Sequence, residues 1–267
     1  KYLIEKISDY SKDIIIDEHL IKDPLGPDSV KIYNIFARIN PEKKKRVLFM
    51  AHWDTRRFAD KDPDPSNHDK PVIGANDGAS GVAILLGLID QFTKKDINNM
   101  GIDFLFTDAE DMGIYGNAET WAIGARLFSR NYPGELPQFA ICVDMVADKD
   151  LKIKMEKFSY QMAPQLMNHI WNIASMIGYS SFFIGDIGPS VIDDHISFSQ
   201  DNHPMLCPGK NAKIEFNGSA IGHVGELNPE LTMNLDLVQN TLTILSISYS
   251  YSLTIFSIFL LGLLLLF

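Results

Sequence analysis

The sequence predicts an α/β fold of three layers, with helices on both faces of a central sheet. Apolar runs of strand length at residues 32–39, 46–51, 102–106 and 139–143 alternate with longer stretches of helical periodicity at 81–92, 121–129 and 164–177. Such alternation is the pattern of a sheet sandwiched by helices. The chain has 267 residues, 46% of them hydrophobic and 22% charged, which suffices for the core of one large domain. No internal repeat or low-complexity linker interrupts it before an apolar tail, so residues 1–247 are expected to form one domain and 248–267 a separate extension.

The elements follow in order. The run at 46–51 comes after the chain's one cationic cluster, Lys43 to Arg46, which lies beside Pro41 and reads as a solvated turn leading into a strand. The helix at 81–92 follows a segment of small residues, and the strands at 102–106 and 139–143 each run directly into acidic residues. Leu235, Val238, Leu242 and Leu245 recur at helical spacing and predict a last helix over 235–245. From Asn240 to Phe267 there is no charged residue, and Leu253 to Phe267, almost wholly apolar, is long enough in combination with the residues before it to cross a hydrocarbon core of about 30 Å. A membrane anchor, an extended core helix and an artefact at a fragment end are the three readings of it.

A net charge of −10 and a pI near 5.1 argue against a nucleic-acid partner, which requires a basic face to displace counterions. Cys142 and Cys207 are too few for a disulfide framework and sit in or beside apolar runs, as buried free thiols do. Asp60, Asp62 and Asp64 have the spacing of a calcium loop, but Pro65 and Pro71 occupy the positions that need Gly and the closing Glu, so a proline-stiffened surface loop is expected.

In folds of this class the working groups gather at the carboxyl ends of the strands. His52 and Asp54 follow the 46–51 run, Glu110 and Asp111 follow 102–106, and Asp144 follows 139–143. Asp77 lies in Gly74-Ala75-Asn76-Asp77-Gly78-Ala79-Ser80-Gly81, where small residues let the backbone approach closely; alone, it could equally cap the next helix. Glu110 and Asp111 are neighbouring acids that repel unless a proton or cation compensates them, with a solvated acidic loop as the alternative. Asp193, Asp194 and His195 again set acids and an imidazole against apolar neighbours, and His223 follows the turn-like Asn217-Gly218-Ser219.

Taken together, Ala51-His52-Trp53-Asp54-Thr55-Arg56, Asp62-Pro63-Asp64-Pro65, Gly74 to Gly81, Asp108-Ala109-Glu110-Asp111, Val143-Asp144-Met145-Val146 and Asp193-Asp194-His195 resemble, in this order, the glutaminyl cyclases of the bacterial and animal type. Those enzymes share their fold with the zinc aminopeptidases of peptidase family 28. The resemblance implies a mixed, mostly parallel central sheet and a zinc held by Asp77, Asp111 and His223. It further implies Glu110 as general acid and base, with Asp144 and Asp193 as a hydrogen-bond relay. In the two-metal aminopeptidases the counterparts of His52 and Asp144 hold a second zinc and that of Asp77 bridges. The sequence departs from the family at His223, flanked here by Gly222 and Val224 rather than an aromatic residue and Thr, and at Asp111, where many relatives carry Glu.

The implied activity is glutaminyl-peptide cyclotransfer on peptide or protein N-termini, turning N-terminal Gln into pyroglutamate with release of ammonia. A zinc aminopeptidase is the first alternative, and a catalytically impaired binding module the second. An extracytoplasmic location comes from the resemblance alone. Trp53 and Trp121 are candidate pocket walls.

Overall fold

In the computed structural model, residues 1–198 are described apart from 96, 98 and 135, and beyond them the backbone of residues 206–216, 219–227 and 242–247. The chain divides into two compact units, Lys1–Phe198 and Ser199–Phe267.

The first unit is built on a five-stranded sheet in the order β1-β2-β4-β3-β5. Strands β1 (Asp13–Lys22) and β2 (Ser29–Ile39) form an antiparallel pair, and β2 runs antiparallel to β4 (Gly101–Thr107). Strand β3 (Arg46–His52) lies parallel to both β4 and β5 (Phe139–Cys142). The sheet is therefore mixed, with β1, β3, β4 and β5 running one way and β2 alone running against them. The edge strand β1, which the sequence reading did not name, has only intermediate and exposed positions, and such a half-wet edge strand leaves no continuous apolar run to read.

Alternation along the strands sends side chains to two cores. On one face Ala51, Phe104 and Phe106 meet Ile7 of α1 (Tyr2–Ser8) and Val82, Leu85 and Ile89 of α2 (Ala79–Thr93). On the other, Leu48, Met50, Phe36 and Leu105 pack on Phe128 of α3 (Ile123–Arg130). Helices on both faces give the expected three layers.

Arg46, expected in a solvated turn, is instead 3% exposed. It opens β3 and is held by Asp103, with Nε donating to both carboxylate oxygens at 3.0 and 2.8 Å. A bidentate ion pair at the floor of the sheet keeps this end closed and leaves the opposite, carboxyl end for chemistry. The Asp60 to Asp64 loop is stiffened as expected: Asp64 caps the 3-10 turn Pro65–Asn67 and Asp60 pairs with Arg56 at 2.7 Å.

After β5 the chain adds β6 (Ile153–Met155), α4 (Lys157–Met162), α5 (Pro164–Met176) and β7 (Phe183–Ile187), with β6 and β7 paired in parallel, and then the 3-10 turn Asp194–Phe198. The second unit is a three-stranded antiparallel sheet of β8 (Leu206–Phe216), β9 (Ser219–Leu227) and β10 (Leu242–Ile247), ordered β10-β9-β8. The helix expected over 235–245 is corrected here, because residues 242–247 form β10. Thr243, Ile244 and Ile247 are β-branched and favour the strand. The remainder of that helix and the apolar tail lie outside the described residues, and no described helix is long and apolar enough to cross a membrane.

Candidate metal centre

His52 ends β3 and is 1% exposed. Its Nδ1 faces the main-chain oxygen of Asp54 at 3.1 Å. A carbonyl can only accept, so Nδ1 carries the proton and Nε2 is directed at two carboxylates. Nε2 lies 3.1 Å from Asp77 Oδ1 and 3.1 Å from Asp144 Oδ1. Burial works against an imidazolium here, but the hydrogen bonds to Asp144, Asp54 and Asp77 outweigh it and hold the pKa of His52 far above the ordinary histidine range.

Asp77 does not cap α2. The cap position belongs to Gly78, and no side chain closes the helix end. Gly78 has φ +87°, and a Cβ there would stand 2.6 Å from the Asp54 main-chain oxygen, so the loop needs glycine to bring Asp77 against His52. The loop is tied to the segment after β5, where Ala147 N–H donates to Asn76 Oδ1 at 2.7 Å and Val146 N–H to Ser80 Oγ at 3.0 Å. That segment carries Asp144, whose Oδ1 also accepts from the Met145 amide at 2.8 Å. Both Met145 and Ala109, each beside a candidate acid, adopt positive φ without being glycine, a sign that these strand-end turns are tightly determined.

Glu110 and Asp111 are not a solvated loop; they are 7% and 5% exposed. The Asp54 carboxylate fixes their backbone, accepting from Glu110 N–H at 3.1 Å and from Asp111 N–H at 3.0 Å. Arg56 adds a second clamp, donating from Nη1 to the main-chain oxygens of Asp111 and Gly113 at 3.0 and 2.6 Å while its guanidinium lies over Tyr115 and Trp121. Burial and then the charges of Asp194 and Asp193 push the carboxyl of Glu110 up to about 10. Burial followed by Asp77 and Asp54 pushes Asp111 up to about 7.

Trp121 closes against Tyr115 at 5.4 Å between ring centroids, and Trp53 is 37% exposed with its indole N–H bound to Tyr33 O. Cys142 is partly buried, and Cys207 lies outside the described side chains.

The structure thus brings His52, Asp77 and Asp144 to one point, their ligand atoms all within 4.8 Å of one another. Asp111 adjoins this group electrostatically, and its Oδ2 is buried without a hydrogen-bond partner among the described residues. An orphaned carboxylate oxygen beside a His and two Asp is a donor set that fits a divalent cation, with nitrogen and oxygen ligands of the kind zinc accepts. Asp193 sits with Glu110 and Asp194 rather than with the ligands. His223 lies in strand β9 of the second unit, after the turn-like segment, and its side chain is outside the described ones. Sequence reasoning gave no role to Arg56 or Thr107, although Arg56 stands in the same short motif as His52 and Asp54.

Residues 34–220, most of the chain, match the family model of Peptidase family M28. The chain belongs to this family. Among solved structures, a glutaminyl cyclase of Porphyromonas gingivalis superposes with a TM-score of 0.70 at 34% identity, over 73% of this chain and 68% of that one. A Zn-dependent exopeptidase of Parabacteroides distasonis gives 0.70 at 32% identity, over 73% and 69%. A leucine aminopeptidase precursor of Bacteroides thetaiotaomicron gives 0.70 at 34% identity, over 73% and 70%. A short stretch, 46% identical over 44 residues, is similar to the phenylalanine–tRNA ligase beta subunit of Bordetella pertussis, and it spans 16% of this chain and 6% of that protein.

Proposed function

We propose that this M28 chain is a zinc-dependent glutaminyl-peptide cyclotransferase acting on peptide and protein N-termini. The observation that supports this reading most is the placement of Glu110, buried beside Asp193 and Asp194 and one residue from the candidate ligand Asp111. Cyclotransfer needs one group that first takes a proton from the substrate amine and then gives it to departing ammonia. A buried carboxyl among other acids is suited to hold and return that proton, and the positive charge of zinc at the neighbouring Asp111 would bring its raised pKa down so that it can first take the proton up. Asp193 and Asp144 would orient the amine.

Zinc, with Asp77 and Asp111 as its ligands from the first unit, would supply Lewis-acid polarisation of the Gln side-chain carbonyl. In this reading His52 is a strut that holds Asp77 and Asp144 in place through Nε2. The reaction is intramolecular, so a site fixed by the Asp54 and Arg56 clamps works chiefly by holding the bent substrate conformer.

One observation favours a second reading, aminopeptidase. His52, Asp77 and Asp144 already converge as the donors of a second metal would. Glu110 would then act as general base toward water. The test is to purify the full chain, count zinc, and assay a Gln-initiated peptide beside a Leu-initiated chromogenic amide. One zinc with ammonia release supports the cyclase; two zincs with amide cleavage overturn it, and neither activity favours a binding module.

A further inference from the structure

We propose that Cys142, Asp193 and Asp194 form a second cation site, distinct from the His52 group, that takes a thiophilic divalent ion such as zinc or cadmium. Cys142 ends β5, and the two acids stand at the start of the 3-10 turn Asp194–Phe198. Their ligand atoms all lie within 4.8 Å of one another. The thiol Sγ is 3.4 Å from Asp193 Oδ1, in reach of an S–H donated to that oxygen.

Asp194 points to a ligand independently of the clustering. It is wholly buried, and its Oδ2 accepts from the Thr107 hydroxyl while its Oδ1 is buried with no hydrogen-bond partner among the described residues. Asp193 is 9% exposed, and no ion pair within 4.0 Å reaches either acid among the described residues. Two buried carboxylates side by side without a counter-ion are costly, and one dication between them reverses the sign of their interaction. The thiol decides the class of ion. Magnesium and calcium require oxygen donors, whereas one sulfur with two carboxylates and a water is a tetrahedral set for zinc or cadmium.

Binding at this site does not depend on the proposed reaction. A corollary does: if Asp193 serves the substrate amine, an ion that takes its carboxylate removes turnover.

The test uses the full chain loaded with zinc and titrated with cadmium, followed by the ultraviolet charge-transfer band of a cadmium thiolate and by metal analysis. One further metal per chain and a thiolate band are expected. C142S should lose both, and C207S should keep both. D194N, which retains a hydrogen-bond acceptor for Thr107, should weaken cadmium binding about tenfold or more while the thiol still reacts with a chromogenic disulfide. D77N should lower the zinc content and leave the band in place, which separates this site from the metal centre at Asp77. Absence of a band in the wild-type chain, its persistence in C142S, or its loss in C207S alone would each overturn the assignment.

Discussion

His52 Nε2 lies 3.1 Å from Asp144 Oδ1, so the carboxyl ends of the neighbouring parallel strands β3 and β5 meet through one imidazole. Asp77 Oδ1 shares the same nitrogen. Replacing His52 with Ala leaves the two carboxylates facing each other with nothing between them. His52→Ala is expected to weaken zinc binding by roughly 10- to 100-fold if His52 supports the ligands from outside. Should it instead be a ligand itself, zinc content falls from two per chain to one. Zinc titration against a competing chelator distinguishes the two outcomes.

Glu110 and Asp111 are adjacent in sequence but face different neighbours, Glu110 the acids at 193 and 194, Asp111 the acids at 77 and 54. Glu110→Gln should therefore lower kcat by about 10²- to 10⁴-fold while the chain keeps its zinc. Asp111→Asn should lose zinc, and activity with it. Metal analysis beside kinetics checks the pair; zinc loss in Glu110→Gln would show that base and ligand are exchanged.

The parallel half of the sheet and its strand-end acids were legible in sequence because each of its strands is a short, mostly apolar run that ends at polar residues. β3, β4 and β5 all obey this rule, and so His52, Glu110, Asp111 and Asp144 could be found. β1 was not legible, since its alternation of exposed and half-buried residues resembles a surface segment. Nor was the ion pair of Arg46 with Asp103, because a buried guanidinium reads as a surface charge until its partner on the next strand is known. The burial of Glu110 and Asp111 depends on Asp54, Arg56 and the turn at Asp194, which close over them from distant parts of the chain. The 242–247 segment carries apolar residues compatible with either period, and only its pairing with β9 decides for a strand.

Asp54 is the predicted weak point of the site's scaffold. Its carboxylate accepts two amides, and hydrogen bonds to a charged acceptor contribute about 1.5–3 kcal/mol each. Asp54→Ala is expected to destabilise the fold by about 2–4 kcal/mol, less than the sum because water reaches part of the vacated space. Urea unfolding measures this, and kcat should fall even where the chain remains folded.

Gly78→Ala tests the loop that presents Asp77. The added methyl would meet the Asp54 oxygen at 2.6 Å and the His52 ring carbon Cε1 at 3.2 Å, at a φ of +87° that disfavours a side chain. A cost of about 1–3 kcal/mol follows from the strain and overpacking together. Because the clash lies against His52 and Asp54, zinc affinity should drop as well. A surface substitution such as Gly116→Ala, also at positive φ but with no atom within 4 Å, should cost stability without affecting zinc.

Glu156 gives the fold a dependence on acid. Burial raises its pKa, but the amides of Ser159, Phe158 and Val191 outweigh burial and leave it below its ordinary value of 4.5. Two of these amides open α4, and the third, Val191 N–H at 3.1 Å, holds the segment that leads to Asp193. A carboxylate with a depressed folded pKa contributes stability that is fully present above the unfolded value and is lost as pH falls through the folded one. Wild type should therefore be more stable than Glu156→Gln at neutral pH, and the difference should shrink below about pH 4.5 and vanish once both states are protonated. Urea midpoints of the two proteins from neutral pH down to about pH 3 give the comparison. A gap that stays constant across the range would mean that the amides bind Glu156 through shape rather than charge, and that the segment before Asp193 is held by other contacts.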